Sequence, residues 1–438
     1  MKNQLLSILA VLVIFSCSND SSVLKDPEQL VNQEAFKKGP KKGKADIIVF
    51  PSGDLSGITD ANNIEDALNT LPEGGVLLMK IGTYYSNRTI EAPEGFNGTI
   101  KGSGKDKTKI IAVGDSGTPF TVAPPFGPTG FNNYPNESVF LFYNPKGSVN
   151  MNSLAITLSD DFVAAGVFTR GRLFTFITVG MSDNDADTNF NKLKLTGLDI
   201  PFPDTEASPA VGILVSGNNS TFPTFISGGT HRVTNSIISK IAVPPTAHYY
   251  LKNAEILLQG NTCFDVRQTQ LIFLDGCDII IKDNNLTAYD ISAINLTQEG
   301  FPLSGETNTV EIKNNIITAN GWVAIEIGPS YGDANFEVNI KNNQLENKGG
   351  GTFPGFPDIA VVGISEGNDN VIVKDNNILG NVPFGITQDS DYGSFKDNDF
   401  SSFNAIESDY KLTGDYNELR GVGTSTVIDS GVGNVIQN

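Results

Sequence analysis

Val310-Glu-Ile-Lys-Asn-Asn315-Ile-Ile317 is written again as Val338-Asn-Ile-Lys-Asn-Asn343-Gln-Leu345 and as Val371-Ile-Val-Lys-Asp-Asn376-Asn-Ile378. Upstream it reads Ile279-Ile-Ile-Lys-Asp-Asn284-Asn-Leu286, and downstream, shortened, Phe395-Lys-Asp-Asn398-Asp-Phe400. The shared pattern is apolar, any, apolar, Lys, Asn or Asp, Asn, any, apolar. Between the shared Asn residues the steps are 31, 28, 33 and 22 residues. A repeat of that length marks a solenoid. Apolar residues at alternate positions mark strands with one face inward. An Asn at a constant place marks a bend, because Asn tolerates left-handed backbone and its amide bonds to neighbouring main chain. Each repeat is therefore expected to be two short strands meeting at an Asn corner, with the variable length held in loops elsewhere on the coil. Coils stacked about 4.8 Å apart would align Asn284, Asn315, Asn343, Asn376 and Asn398 in a ladder of amide hydrogen bonds.

This strand and Asn-corner pattern resembles the right-handed parallel β-helix of the pectin-lyase-like superfamily. Gly74-Gly-Val-Leu-Leu-Met-Lys-Ile-Gly-Thr-Tyr84 and Gly98-Thr-Ile-Lys-Gly-Ser-Gly104 add to the resemblance, which covers residues 46–438. It implies an all-β, single-stranded solenoid with an N-terminal capping helix. Thr59–Leu71 is that helix: Ile64, Ala67, Leu68 and Leu71 share a face, Asn62 and Glu65 have capping-box spacing, and Pro72 ends it. Such a helix is expected to plug the open end of the coil, where unpaired strands invite aggregation. Between 112 and 275 the coils are harder to phase. Val149–Ile156 and Leu193–Ile200 fit the template with Leu154 and Leu198 in place of the corner Asn, and Arg232–Ile238 fits with Ser236.

Met1–Ser16 carries one Lys and the apolar run Leu5–Phe15, too short to span a bilayer and suited to a signal peptide. Ile14-Phe-Ser-Cys17 resembles a bacterial lipobox, which implies a lipidated Cys17, residues 18–45 as a flexible tether, and a place in the cell envelope, at the outer membrane or cell surface. Seven of the 30 basic and four of the 49 acidic groups fall before residue 46, leaving a net charge near −22 for the rest. A field of that sign argues against nucleic acid and against strong attraction to polyanions. The chain is expected to be monomeric. Cys263 and Cys277 are compatible with a bridge in an exported protein, or with two buried thiols.

Before each corner unit stands another short strand: Ile272–Leu274, Ile294–Leu296, Ile325–Ile327, Val362–Ile364 and Phe384–Ile386. The resemblance implies that this first sheet carries a polysaccharide groove. Its outward column is expected to be Phe273, Asn295, Glu326, Gly363 and Gly385, with Asp275 one outward step beyond Phe273. Asp275 and Glu326 are the candidate catalytic carboxylates, about 10 Å apart. Phe273, Asn295, Phe301 and Phe353 are candidate sugar contacts, since rings stack on the C–H face of a pyranose. The paired Asp motifs and the Gly-His-Gly of polygalacturonase-like members are absent, and no Lys or Arg falls in the outward columns to serve a lyase. His248-Tyr249-Tyr250 reads as packed side chains rather than an acid–base pair. The resulting expectation is a surface protein that binds, and in the enzymatic version cleaves as a hydrolase or lyase, a glycan along the first sheet. Neutral or cationic glycans suit a partly negative groove. The rival is a non-catalytic adhesin or structural surface protein. Asp183-Asn-Asp185-Ala-Asp187 places carboxylates at alternate positions, as a Ca2+ loop does, but Thr188 and Lys194 stand where a Gly and a Glu would complete an EF-hand.

Overall fold

The computed structural model describes residues 46–114, 120, 136–160, 162, 173–181, 186–198, 211–217, 226–241, 245–266, 270–288, 292–296, 306–328, 336–350, 359–368 and 370–438. Among these residues the strands form three sheets of 14, 13 and 11 strands, and one helix precedes them. Every neighbouring pair along the repeats is parallel: Asn308–Lys313 lies on Phe336–Lys341, Ile316–Ala319 on Gln344–Asn347, and Val323–Ile327 on Ala360–Ile364. The chain visits the first, second and third sheets in turn, then moves one rung along. This is the right-handed parallel β-helix expected from the repeat.

Inside the coil the apolar positions of the template stack on their own kind: Ile281 on Ile312 on Ile340 on Val373, all without solvent exposure. Each such side chain removed from water contributes about 1.5–3 kcal/mol. The corner is a hydrogen-bonded ladder. The Oδ1 of Asn315 accepts from both the backbone N–H and the Nδ2 of Asn284, each at 2.9 Å, and Asn315 donates in the same way to Asn343 at 2.9 and 3.0 Å. Asn376 and Asn398 continue it. The left-handed turn, however, belongs to the residue before the ladder Asn: Asp283, Asn314, Asn342, Asp375 and Asp397 have φ of 52–57°. The two tasks assigned to one Asn are thus divided between two neighbours.

The ladder also runs further upstream than the repeat suggested. Asn261 donates its N–H to Asn284 Oδ1, Ser236 donates to Asn261 Oδ1, and the Ser236 hydroxyl accepts from Leu193 N. Leu193, preceded by left-handed Lys192, is therefore a corner, and Leu198 is not. The helix runs Ile58–Thr70. It packs on Asp46–Val49, Gly82–Ser86 and Ile90–Ala92, the first strands of all three sheets, and so caps the coil. Its cap is the Asp54 carboxylate, which accepts from Thr59 N and Thr59 Oγ1 at 3.1 and 2.7 Å, rather than the expected Asn62–Glu65 box. Asn62 and Glu65 lie a turn inside the helix and bind Arg88 instead. Cys263 and Cys277 are buried free thiols, both pushed up to about 12 by burial.

Candidate functional site

On the second sheet the outward positions of the template stand in register as three columns. The middle column is Arg232, Leu257, Ile280, Glu311, Asn339 and Ile372. One side is Thr230, Glu255, Asp278, Thr309 and Glu337. The other side is cationic: Lys282, Lys313, Lys341, Lys374, Lys396 and Arg420 stand on six successive strands. Over the middle column and the Thr230–Glu337 side lies a groove of about 970 Å3, into which the cationic column contributes Lys282. Six rungs at about 4.8 Å make its floor roughly 24 Å long. The floor carries apolar ribs (Leu257, Ile280, Ile372) and hydrogen-bonding groups (Arg232, Glu311, Asn339).

Glu311 sits at the centre. Its carboxylate contacts Lys313 Nζ at 2.5 Å and Lys341 Nζ at 2.7 Å, and these two cations hold it below the usual carboxylate range. Lys282 and Lys374 form no ion pair among the described residues. This groove was not anticipated. Its signal was present in the repeat as the second template position, which is Ile in Ile279–Lys282 and Val371–Lys374 where a polar outward residue is the norm, and as the constant Lys.

The first sheet departs from its expected register. Asn295 and Glu326 are neighbours, and Glu326 stands opposite Gly363, but Asn295 faces Leu271 and Gly363 faces Thr387. Phe273 and Gly385 therefore stand two residues out of the Asn295–Glu326–Gly363 column on their own strands. The short apolar runs permitted the slip. Asp275 lies four residues beyond Leu271, about 13 Å along the strand, and two rungs from Glu326, about 10 Å across. The resulting roughly 16 Å exceeds the separation of either glycosidase class, so Asp275 and Glu326 do not form a catalytic pair. Asp275 is 2% exposed, with Lys252 Nζ 3.8 Å from its Oδ2.

Glu326 does stand on the outer side, half-buried, where its Oε2 accepts from Ser292 Oγ and Asn295 Nδ2, both at 2.6 Å. Beside it, a Cβ built on Gly363 would be in ordinary contact with Val323 and Thr387 at 3.5–3.7 Å. Phe384, which opens the strand Phe384–Gln388, is buried, with Lys411 Nζ 5.0 Å from its centroid. Phe301 and Phe353 lie outside the described residues, as do the Phe273 side chain, Asp183, Asp185 and Cys17. Asp187 is in the strand Ala186–Asn191, and its Oδ1 accepts from Thr230 N at 2.8 Å. His248 and Tyr249 are packed inside: burial pushes the His248 ring down to about 3 and the Tyr249 phenol well up, which leaves neither suited to proton transfer near neutrality.

No family model matches the chain, and no curated protein matches it. Solved structures that share its architecture include the A-module of a mannuronan C-5 epimerase from Azotobacter vinelandii, at 11% identity over 87% of this chain and 95% of that one, TM-score 0.44. A Dettilon tailspike protein aligns at 11% identity over 89% of this chain and 68% of that one, TM-score 0.48. A surface adhesin of Streptococcus pneumoniae aligns at 13% over 84% and 89%, TM-score 0.39. By its own strand register and corner ladder, the chain has the pectin-lyase-like parallel β-helix fold.

Proposed function

We propose that the protein binds a linear polysaccharide lengthwise along the outside of its β-helix, in the groove of the second sheet. The observation that carries this reading is the groove itself: it is open, crosses six coils, and carries both apolar ribs and hydrogen-bonding side chains along its floor. A polymer with a C–H face and a hydroxyl edge at each residue matches such a floor, whereas a compact ligand would use one or two rungs. Ile280→Arg places a long charged side chain at the middle of the floor. It is expected to weaken glycan binding at least tenfold in a protein that melts like its parent. Unchanged affinity, read by calorimetry on a glycan that the parent binds, removes the groove from the account.

Glycan cleavage on the first sheet is the second reading, favoured by the position of Glu326. Its carboxylate is fixed on the outer side by two donors, on the strand next to Gly363. If products appear from any bound glycan, Glu326→Gln is expected to remove turnover by several orders of magnitude while binding survives, since the amide keeps the shape but exchanges no proton. Turnover that persists in Glu326→Gln would remove Glu326 from the chemistry.

The envelope location is part of the same proposal. With Cys17 lipidated, the coil would be tethered at a membrane and present its long axis to extracellular polymer. Cys17→Ser is expected to move the protein from the membrane to the soluble fraction. Identical fractionation of variant and parent, with no lipid mass on the parent, excludes the anchor.

A further inference from the structure

We infer that the helix-capped end of the coil carries a docking surface for an anionic, phosphate-bearing membrane, formed by Lys105, Lys107, Lys109, Lys192 and Lys194. Lys101-Gly-Ser-Gly-Lys105-Asp-Lys107-Thr-Lys109 turns the chain from the second sheet into the third, between the strands Gly98–Lys101 and Thr108–Ala112. A neighbouring coil brings Lys192 to its left-handed corner and Lys194 to the start of the strand Lys194–Thr196. Two adjoining hollows result. Lys105, Lys107 and Lys192 line one of about 550 Å3 with Ser153, and Lys105, Lys109 and Lys194 line another of about 290 Å3 with Ala155. Lys109 and Lys194 pair with Ala155 from its two sides, about 10 Å apart across a small residue. Asp106 is the one acid in either lining, and it pairs with Lys194 at 3.6 Å. The other four lysines form no ion pair among the described residues, and Lys107, Lys109 and Lys192 are exposed.

The coil itself does not call for this set. A left-handed corner is served by Asn or Gly, as at Asn235 and Gly260 on the next two coils, whereas Lys192 bears the steric cost of a φ of 55°. Five lysines around one acid also repel one another, in a chain whose net charge near −22 could readily have supplied carboxylates to pair with them. At physiological salt the field of those distant carboxylates is screened beyond about 8 Å, so a surface touching the hollows meets the lysines. The acidic remainder then sets the orientation, because the other faces repel an anionic bilayer. Position supplies the partner. Thr108–Ala112 and Lys194–Thr196 are the second and fourth of the eleven strands of the third sheet, at the end that the helix closes. The chain enters the coil at that same end, through Asp46–Val49, and before it stand the lipobox and the stretch 18–45 read from sequence as a tether. A membrane holding the anchor thus lies within reach of the lysines, and two weak contacts act together. The strands of the groove, from Thr230–Thr234 onward, stand farther along the axis and stay free for their ligand. The inference extends the envelope reading, while the lysine surface stands without the anchor.

The test uses the full chain carrying Cys17→Ser, so that no acyl chain contributes, and vesicles of phosphatidylcholine alone or of equal parts phosphatidylcholine and phosphatidylglycerol. The apolar run Leu5–Phe15 acts alike on both. Co-sedimentation is expected to show at least about tenfold tighter binding to the anionic vesicles, lost as salt rises. Each lysine at such a surface is worth roughly fivefold in affinity. Lys105→Gln, Lys107→Gln and Lys192→Gln together should therefore lose about tenfold or more on anionic vesicles and less than about twofold on neutral ones. Lys282→Gln, Lys374→Gln and Lys396→Gln together remove the same charge from the second sheet and should leave binding unchanged. Equal binding to the two vesicles overturns the inference, as does unchanged binding of the first triple variant. An equal loss in both triple variants would report net charge alone and overturns it too. Release from the vesicles by glycerol phosphate would make the hollows a site for a soluble phosphate, and binding to dextran sulfate without binding to anionic vesicles would make the partner a polymer; either overturns the membrane reading. Every arm uses the unlipidated chain, so an anchor that fails in fractionation leaves these results standing, and a surface that fails here leaves the anchor.

Discussion

Asn315→Ala is expected to lower the unfolding free energy by about 2–4 kcal/mol, whereas Asn314→Gly next to it should change it by less than about 1 kcal/mol. Two buried groups lose their partner when the Asn315 side chain is cut: the N–H of Asn284, which it accepts, and the carbonyl of Ile281, to which its Nδ2 donates at 2.9 Å. An orphaned buried polar group costs roughly 1–3 kcal/mol, and an Ala methyl offers neither acceptor nor donor. Asn314 has a different task. Its φ of 54° is left-handed, a conformation that glycine enters without strain, and its side chain is exposed. Urea denaturation of the two variants therefore separates ladder from turn. Matching midpoints for Asn315→Ala and the parent would show that the amide ladder adds nothing to the coil.

The ladder was legible because three residues in a row, Lys, Asn or Asp, and Asn, serve three separate local needs and so recur together. Where one need is met by another residue, the pattern disappears from view. Gly260 supplies the left-handed turn before Asn261 with φ of 66°, so that coil carries no Lys-Asn signature although its ladder bonds are the same. The Leu193 corner presents only an apolar side chain, and nothing in composition distinguishes it from Leu198 five residues later. Register on the first sheet was less accessible still. Ser292–Leu296 and Gln270–Asp275 are short apolar runs, and shifting either along the other keeps apolar residues inward. The pairing is set by contacts between coils rather than by the local pattern. Glu326 was placed on the outer side correctly because Ile325 and Ile327 flank it, a local matter; its distance from Asp275 is not local. The groove was missed for a related reason. The constant Lys was taken as part of the corner, and only the register of neighbouring coils turns a repeated residue into a continuous charged column.

Lowering the pH from 7 to 5 is expected to cost on the order of 4 kcal/mol through two buried imidazoles, His231 and His248. The rings face each other inside the coil from different sheets, with centroids 6.3 Å apart. Burial pushes His231 down to about 4, against the opposing pull of Asp187, and burial with the neighbouring His231 charge pushes His248 down to about 3. His231 Nδ1 meets Thr188 Oγ1 at 3.1 Å, while neither nitrogen of His248 has a hydrogen-bond partner among the described residues. Both values lie below the ordinary 6.5, so between about pH 6.5 and 3 the unfolded chain binds more protons than the folded one. Stability therefore falls as the pH drops through that window and levels off, for these two groups, below about 3. Each ring contributes about 2 kcal/mol by pH 5, where most carboxylates are still ionised and their own titration has little weight. His248→Leu fills the site with an apolar side chain of similar size and removes one proton site. The variant should match or exceed the parent in stability at pH 7 and lose about half as much between pH 7 and 5. Denaturant midpoints measured across that range decide it: parallel pH profiles for parent and His248→Leu would mean that the interior admits a charged ring.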